Sequence, residues 1–183
     1  MNTKWLAAAA GLVALAGGAH ASVTVFGNGL AKTCYDSAEA GRSDAAAEAQ
    51  CTQALDGDAL VADDRAGTFV NRGIMKLRRG EYEPAHADFN AAIALAPKIG
   101  EAWVNRGAMF VGEKQYSAGL ADITKGLALG VKQPEKAYFD RALAYEGLDD
   151  EKSAYFDYQQ AVTLKPDWPL PQRELLRFTV THR

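Results

Sequence analysis

A unit of about 34 residues recurs three times in this 183-residue chain. The stretch that begins at Thr68 aligns with the stretch that begins at Ala102, which places Gly73 and Gly107 in the same column, 34 positions apart. A third copy begins at Ala137, after an offset of 35 residues. A period of this length is typical of a repeat architecture, in which each unit packs mainly against its neighbours.

Each copy has the pattern of two helices joined by a short turn. Apolar residues recur at spacings of three and four, as in Phe89, Ala92 and Ile93, which indicates a helix with one buried face. Pro97 and Pro166 follow the second helix of their copies, and proline ends a helix because it lacks the amide donor. The predicted helices lie near residues 66–79, 82–95, 100–113, 116–129, 135–147 and 150–164.

The aligned columns resemble the tetratricopeptide repeat family. In the middle copy Trp103, Gly107 and Tyr116 match the signature of that family in residue type and spacing. In the first copy the match is carried by Ala85, Phe89, Ala92 and Pro97. The resemblance implies an all-α fold, a right-handed α-solenoid of stacked helix-turn-helix hairpins. It implies a binding scaffold without naming the partner, because this fold serves many functions.

The segments around the repeats complete the predicted organisation. Residues 1–21 are predicted to be a signal peptide, and residues 65–167 hold the three repeats. Residues 22–64 are predicted to form an extended or disordered arm, a degenerate hairpin and an acidic linker over 55–65. Residues 168–183 are predicted to form one capping helix for the array. The side chains expected to cover the last hairpin are Leu175, Leu176 and Phe178.

The first 21 residues have the composition of an export signal. A single cation, Lys4, precedes an apolar run over residues 5–18 that is too short to cross a bilayer comfortably. Ala19 and Ala21 are small residues of the type that signal peptidase reads, so we predict cleavage between Ala21 and Ser22. An uncleaved anchor is the alternative. The mature chain is expected in the periplasm or outside the cell, with no further membrane span.

The cysteines of the chain, Cys34 and Cys51, lie in one short stretch near its start. Residues 28–55 align as a degenerate fourth copy, with Cys51 in the column of Phe89 and Cys34 beside the column of Gly73. These columns face each other across the hairpin in the family, so the resemblance implies a disulfide between two helices. An oxidising compartment favours such a bridge. A redox pair is the weaker alternative, because catalytic pairs usually have short spacing.

The first helix of each hairpin is expected to line a groove. Asn71 lies two residues before Gly73, about 200° around the helix, and therefore points away from the partner helix. Asn105 repeats this position, and Asp140 occupies it in the third copy. The predicted groove also includes a methionine column and a strip of small residues, namely Met75, Met109, Thr68, Ala102 and Ala137.

The paired asparagines suit the recognition of a peptide backbone. An asparagine side chain carries an NH2 group that donates and a carbonyl oxygen that accepts, which can pair with the carbonyl and the N–H of a peptide unit. Asn71 and Asn105 resemble the asparagine ladder of the repeats in O-linked N-acetylglucosamine transferase, which implies a peptide or protein ligand. The alternative is that these asparagines only cap or bridge neighbouring helices.

Three Arg–Asp pairs recur with the repeat. Each arginine precedes an aspartate by 16 residues, in the pairs Arg72–Asp88, Arg106–Asp122 and Arg141–Asp157. The constant offset predicts a repeated ion pair between helices, either in the same hairpin or in the next one. A structural role is the favoured interpretation of these charges.

The composition excludes several classes of function. A formal net charge of −3 does not indicate the excess of positive charge that is typical of nucleic-acid binding. The sequence shows no clustered nucleophile and base and no complete phosphate-binding loop, so we expect no enzyme, cofactor or metal. The prediction is an interaction scaffold of the cell envelope that binds an extended peptide or protein segment. A binder of glycan or cell-wall fragments, or an assembly factor, is the alternative, and the oligomeric state is left open.

Overall fold

The structure is a computed structural model that describes residues 4–7, 20–25, 29–57 and 59–181. Within these residues it consists of helical hairpins and one short two-stranded ribbon. The helices are α1 (Leu30–Glu39), α2 (Ala45–Gly57), α3 (Ala62–Arg78), α4 (Tyr82–Leu95), α5 (Gly100–Gly112), α6 (Tyr116–Leu129), α7 (Pro134–Gly147), α8 (Glu151–Leu164) and α9 (Pro169–Leu175). The strands are β1 (Lys4–Ala7) and β2 (Phe178–Thr181).

The hairpins stack in sequence order, and the predicted all-α repeat fold is confirmed. Each hairpin packs against the next one, and the first helices α1, α3, α5 and α7 contact one another in turn. This arrangement places the first helices side by side on one face of the array. Among the residues that the structure describes, no helix combines the length and the apolar character that a bilayer span requires.

The six helices predicted for the repeats lie close to their expected positions, and α3 differs most. It begins at Ala62 rather than near residue 66. Asp63 and Asp64 lie in its first turn, where negative charge interacts favourably with the helix dipole. Because α2 also extends to Gly57, the connection between the two helices is shorter than the predicted linker.

Glycines let the two helices of a hairpin approach closely. A Cβ atom added at Gly73 would lie 2.7 Å from the ring of Phe89, so this column faces the partner helix as predicted. The middle hairpin brings backbone against backbone. A Cβ at Gly107 would lie 2.9 Å from the carbonyl oxygen of Gly119, and a Cβ at Gly126 would lie 2.6 Å from that of Gly100.

We expect Gly107→Ala to lower the free energy of unfolding by about 1–3 kcal/mol, because the added methyl group meets backbone atoms that cannot rotate away. Gly57→Ala is the matched control, since a Cβ at this helical position has no atom within 4 Å. The control should gain up to about 1 kcal/mol from helix propensity. Urea denaturation of both variants measures the difference. Equal effects of the two substitutions would contradict the close α5–α6 crossing.

The three Arg–Asp pairs join the two helices of the same hairpin. Each guanidinium binds its carboxylate through two hydrogen bonds, and the shortest bonds are 2.7 Å for Arg72–Asp88, 2.7 Å for Arg106–Asp122 and 2.7 Å for Arg141–Asp157. These side chains are mostly buried, with exposed fractions between 5% and 19%. The constant offset of 16 residues therefore marks an ion pair inside each hairpin.

Two of these arginines also connect neighbouring hairpins. Arg72 donates from Nη1 to the hydroxyl of Thr52 on α2, over 3.1 Å. Arg106 donates from Nη1 to the side-chain oxygen of Asn90 on α4, over 2.7 Å. Each of these two guanidinium groups therefore links the second helix of its own hairpin to the preceding hairpin.

The first hairpin carries the predicted covalent link. The sulfur atoms of Cys34 on α1 and Cys51 on α2 lie 2.13 Å apart and form a disulfide. Both residues are buried in a cluster with Ala38, Ala47 and Met75. The bridge thus replaces the large side chains that fill the corresponding space in the other hairpins.

The C-terminal segment differs from the single helix predicted for residues 168–183. Helix α9 ends at Leu175, and β2 pairs in antiparallel fashion with β1, with Lys4 opposite Thr181. The β-branched residues of β2 favour a strand over a helix. Strand β1 lies in the predicted signal peptide, whose remaining apolar residues, 8–18, fall outside the described residues.

The end of the array is capped, although not by all the residues expected. Leu175 and Phe178 pack against the last hairpin, with the Phe178 ring centroid 5.7 Å from that of Tyr155. Leu176 is 86% exposed and therefore does not belong to the cap. Arg177, which follows α9, binds Glu146 on α7 over 2.7 Å.

Candidate functional site

A short segment without helical or strand pairing, residues 20–25, lies across the first helices of the hairpins. We call this segment the strap. Its hydrogen bonds pass from α7 at His20 to α5 at Ala21 and to α3 at Val23, so its backbone must be extended to reach them. Most of the strap is buried, and Ala21 is 1% exposed. Residues 22–25 of the predicted arm thus pack on the array, while Phe26 lies outside the described residues.

Asn71 binds both backbone groups of one strap residue. Its side-chain oxygen accepts a hydrogen bond from the Val23 amide over 2.9 Å, and its side-chain nitrogen donates to the Val23 carbonyl over 2.8 Å. Asn71 is fully buried. Its amide therefore satisfies both main-chain groups of one residue, and neither bond depends on the type of side chain that this residue carries.

Asn105, one repeat further on, binds the strap through its donor alone. Its side-chain nitrogen donates to the Ala21 carbonyl over 2.9 Å and to the Glu101 carbonyl of its own helix over 2.8 Å. Its side-chain oxygen is buried and has no hydrogen-bond partner among the residues that the structure describes. An unsatisfied buried acceptor costs about 1–3 kcal/mol, so the strap fits less completely here than at Asn71.

The floor beneath the strap is bare backbone at Gly67. A Cβ atom added there would lie 2.9 Å from Cγ1 of Val23 and 3.3 Å from Cγ2 of Val25. Val23 also belongs to the apolar cluster that includes Ala66, whereas Thr24 between the two valines is only half-buried. The strap therefore turns alternate side chains towards α3.

The sequence prediction missed the column that contains Gly67. Glu101 and Lys136 occupy the same column in the next two repeats. Lys136 donates to the His20 carbonyl over 3.0 Å, and the Glu101 side chain accepts from the Lys132 amide over 3.0 Å. The sequence signal that could have revealed this column was Gly67 itself, because it is a glycine inside a helix and away from the hairpin crossing. We call the face lined by Gly67, Asn71, Asn105 and Lys136 the groove.

The two predicted methionines lie elsewhere. Met75 packs against the disulfide, with its sulfur 3.8 Å from that of Cys51, and Met109 lies in the apolar cluster with Val70 and Ile74. Each follows its asparagine by four residues, which rotates it about 40° around the helix. Both methionines lie in the packing between hairpins, and their assignment to the groove stays a prediction.

The other predicted groove residues are buried on the first helices. Thr68 donates its hydroxyl to the Asp64 carbonyl over 2.7 Å, one turn earlier in α3. Ala102 belongs to the same apolar cluster as Val23, and Asp140 on α7 is 1% exposed. Of the predicted set, the structure brings Asn71 and Asn105 together on the strap by direct hydrogen bonds.

The His20 end of the strap lies among charged side chains. Burial, with smaller contributions from Arg78 and Lys136, lowers the pKa of His20 to about 3, so this imidazole is neutral at pH 7. Burial also lowers the pKa of Lys136, while Glu39 opposes that shift. Glu39 itself accepts a hydrogen bond from the Ser22 hydroxyl.

The predicted cleavage bond between Ala21 and Ser22 lies inside this site. Ala21 is 1% exposed and Ser22 is 8% exposed, so a peptidase cannot reach the bond while the strap is docked. Cleavage at this position would have to precede docking of the strap.

The described part of the chain contains no group of three or more His, Cys, Asp or Glu residues placed to hold a metal ion. The strap is held on α3 and α5 by hydrogen bonds to its main chain and by apolar contact.

Comparisons with known proteins agree with this architecture. The family model described as tetratricopeptide repeat matches residues 135–167, which span α7 and α8. No curated protein matches the sequence.

Several solved structures share the fold at low sequence identity. The tetratricopeptide repeat domain of Arabidopsis OM64 has a TM-score of 0.60 at 23% identity, covering 64% of this chain and 96% of that one. The first such domain of Spaghetti (RPAP3), bound to the HSP90 peptide SRMEEVD, has a TM-score of 0.59 at 22% identity, covering 63% and 94%. MamA has a TM-score of 0.61 at 16% identity, covering 82% of each chain.

Proposed function

Because this chain is a tetratricopeptide repeat protein in its fold and in its matched third repeat, we propose that it is a non-enzymatic interaction scaffold. Its groove on α3, α5 and α7 binds an extended peptide or protein segment. The observation that carries the proposal is the pair of hydrogen bonds, 2.9 and 2.8 Å long, between Asn71 and the backbone of Val23. Backbone groups are common to all peptides, so another extended segment can make the same bonds.

The two interpretations of the asparagines can be weighed on their contacts. Asn105 partly fits the bridging alternative, since it donates to the Glu101 carbonyl of its own helix. The two bonds of Asn71 both go to the strap, 48 residues away in sequence. A residue that served only to cap or bridge helices would direct these bonds to helix backbone. A related fold with a bound peptide, the RPAP3 domain, supports the same conclusion.

The glycan-binding alternative has less support. A sugar site commonly needs an open aromatic face, and Trp103 is the tryptophan of the repeats. Arg106 and Lys125 lie over its ring, 5.0 and 4.7 Å from the centroid, and its indole nitrogen donates to the Pro97 carbonyl. These contacts already use the surface on which a sugar would stack.

We further propose that the protein acts in the cell envelope or outside the cell. The disulfide is compatible with an oxidising compartment, and the predicted cleavage after Ala21 supplies a route to it. Mass spectrometry of the exported protein tests this point, because a chain that retains residues 1–21 would contradict the cleavage.

The strap of the unmodified chain uses Asn71 as a peptide with its sequence, HASVTV, would, so the test is made in a Val23→Asp/Val25→Asp background in which the strap does not occupy the groove. In this background we expect Asn71→Ala to weaken binding of a fluorescent HASVTV peptide by about tenfold, because two hydrogen bonds to the peptide backbone are lost. Fluorescence anisotropy with the full chain measures the affinity, and circular dichroism verifies the fold. Asn71→Ala combined with Asn105→Ala should reduce binding further.

Gln53→Ala is the matched control for the loss of an amide, since Gln53 is exposed on α2 and outside the groove. In the same Val23→Asp/Val25→Asp background, this variant should leave the affinity for the peptide unchanged. If Asn71→Ala retained full affinity while folded, the ligand would bind at another surface and the proposal would fail.

A further inference from the structure

We infer that the strap is an internal ligand of the groove, and that the partner which displaces it is an extended segment with small branched aliphatic side chains two residues apart. This inference rests on the proposed function and specifies the ligand class of the same groove. Three features of the strap lead to it: its side-chain pattern, its incomplete fit at one end and its position on the proposed site.

The side-chain pattern follows from the floor at Gly67. With Val23 and Val25 already within 2.9 and 3.3 Å of the space that a Cβ would occupy, the floor has room for short side chains in close contact. Val25 packs further against Ala31 on α1 and Ala54 on α2, which are also small. The hydroxyl of Thr24, between the two valines, accepts a hydrogen bond from Lys132 instead, so this side chain does not face Gly67. An extended segment turns alternate residues to one face, and this groove accepts valine-sized residues there.

The incomplete fit lies at the other end. The buried side-chain oxygen of Asn105 lacks a hydrogen-bond partner within the described ranges. The proposed cleavage after Ala21 would also remove the Ala21 carbonyl to which the Asn105 nitrogen donates. A ligand with the same valine spacing and a backbone N–H opposite Asn105 would make a hydrogen bond that the strap does not make. Such a ligand would therefore satisfy the hydrogen-bonding groups of the groove more completely than the strap does.

Competition with the strap sets the affinity of that occupant. A ligand binds only the fraction of molecules whose groove is open, so its apparent dissociation constant rises as that fraction falls. A strap held by Asn71 and by two buried valines keeps this fraction small. Variants that expel the strap without altering the groove should therefore bind the partner more tightly.

The test compares two peptides on three forms of the full chain. The peptides are HASVTV and HASNTN, in which asparagine replaces both valines. The proteins are the unmodified chain, the Val23→Asp/Val25→Asp variant and, as the matched control, the Thr24→Val variant. We expect the double variant to bind HASVTV at least about tenfold more tightly than the unmodified chain, and Thr24→Val to behave as the unmodified chain does. HASNTN should bind the double variant at least about tenfold less tightly than HASVTV.

Hydrogen exchange keeps the test decisive if the double variant does not fold. In the unmodified chain, an excess of HASVTV should increase the exchange rate of the Val23 amide, because the peptide takes its place on Asn71. Equal affinity of the double variant and the unmodified chain, or an unchanged Val23 amide under saturating peptide, would overturn the internal-ligand assignment. Equal binding of HASVTV and HASNTN would overturn the ligand class while the proposed function stands. Failure of every form to bind either peptide would overturn the proposed function as well.

Discussion

Asp88→Ala is expected to lower the free energy of unfolding by about 3 kcal/mol. The Asp88 carboxylate, 5% exposed, binds Arg72 through bonds of 2.7 and 3.0 Å and also accepts from Lys76 over 2.8 Å. Removing it leaves two mostly buried cations without their main partner, and breaking a buried pair costs about 3–5 kcal/mol. The lower end applies because Glu48 lies 4.0 Å from Lys76 and compensates part of its charge. Urea denaturation of the full chain with its disulfide intact measures the effect.

The matched control is the exposed pair of Lys32 and Asp36, whose side chains are 41% and 55% exposed. Asp36→Ala should change stability by less than about 1 kcal/mol, because water screens this pair. A double-mutant cycle with Arg72→Ala isolates the coupling energy of the buried pair. If Arg72→Ala and Asp88→Ala proved additive, the two side chains would contribute independently and the assignment of the pair as a clamp would be wrong.

The hairpins were predictable because their information is local and repeated. The pairing of Gly73 with Phe89 follows from a small column that faces a large one, and the structure places these residues in contact. The Arg–Asp offset of 16 residues required only that both residues lie at equal distances from the hairpin turn, on its two sides. Three copies make each such column visible in a single sequence.

Features that depend on direction around a helix, or on distant parts of the chain, were harder to predict. Met75 and Met109 lie about 40° from the asparagine column, and the neighbouring hairpin decides which way they pack. The strap depends on bonds between residues 48 and 84 positions apart, such as Val23 with Asn71 and Ala21 with Asn105. No periodic pattern connects these residues. The end of α9 likewise depends on Phe178 packing over the last hairpin.

Replacing both cysteines, in a Cys34→Ala/Cys51→Ala variant, should cost about 3 kcal/mol of stability, because the bridge closes a loop between positions separated by 17 residues. The loss should concentrate in the first hairpin. Alongside the bridge, its core cluster consists of Ala38, Ala47 and Met75, which supply little apolar area. In a repeat array each unit depends chiefly on its neighbours, so α7 and α8 should be affected least. Hydrogen exchange resolved by helix measures this gradient, and a uniform loss across all helices would contradict it.

Met75→Leu separates the covalent contribution from packing against the bridge. Met75 lies with its sulfur 3.8 Å from that of Cys51, and a volume-conserving substitution there usually costs less than about 1.5 kcal/mol. Faster exchange in α1 and α2 of the double cysteine variant, without a matching change in Met75→Leu, would assign the effect to the cross-link. Val25 of the strap packs on Ala31 and Ala54 of the first hairpin. The double cysteine variant should therefore also lose protection from exchange at the Val23 amide. An unchanged Val23 amide would show that the first hairpin does not help to hold the strap.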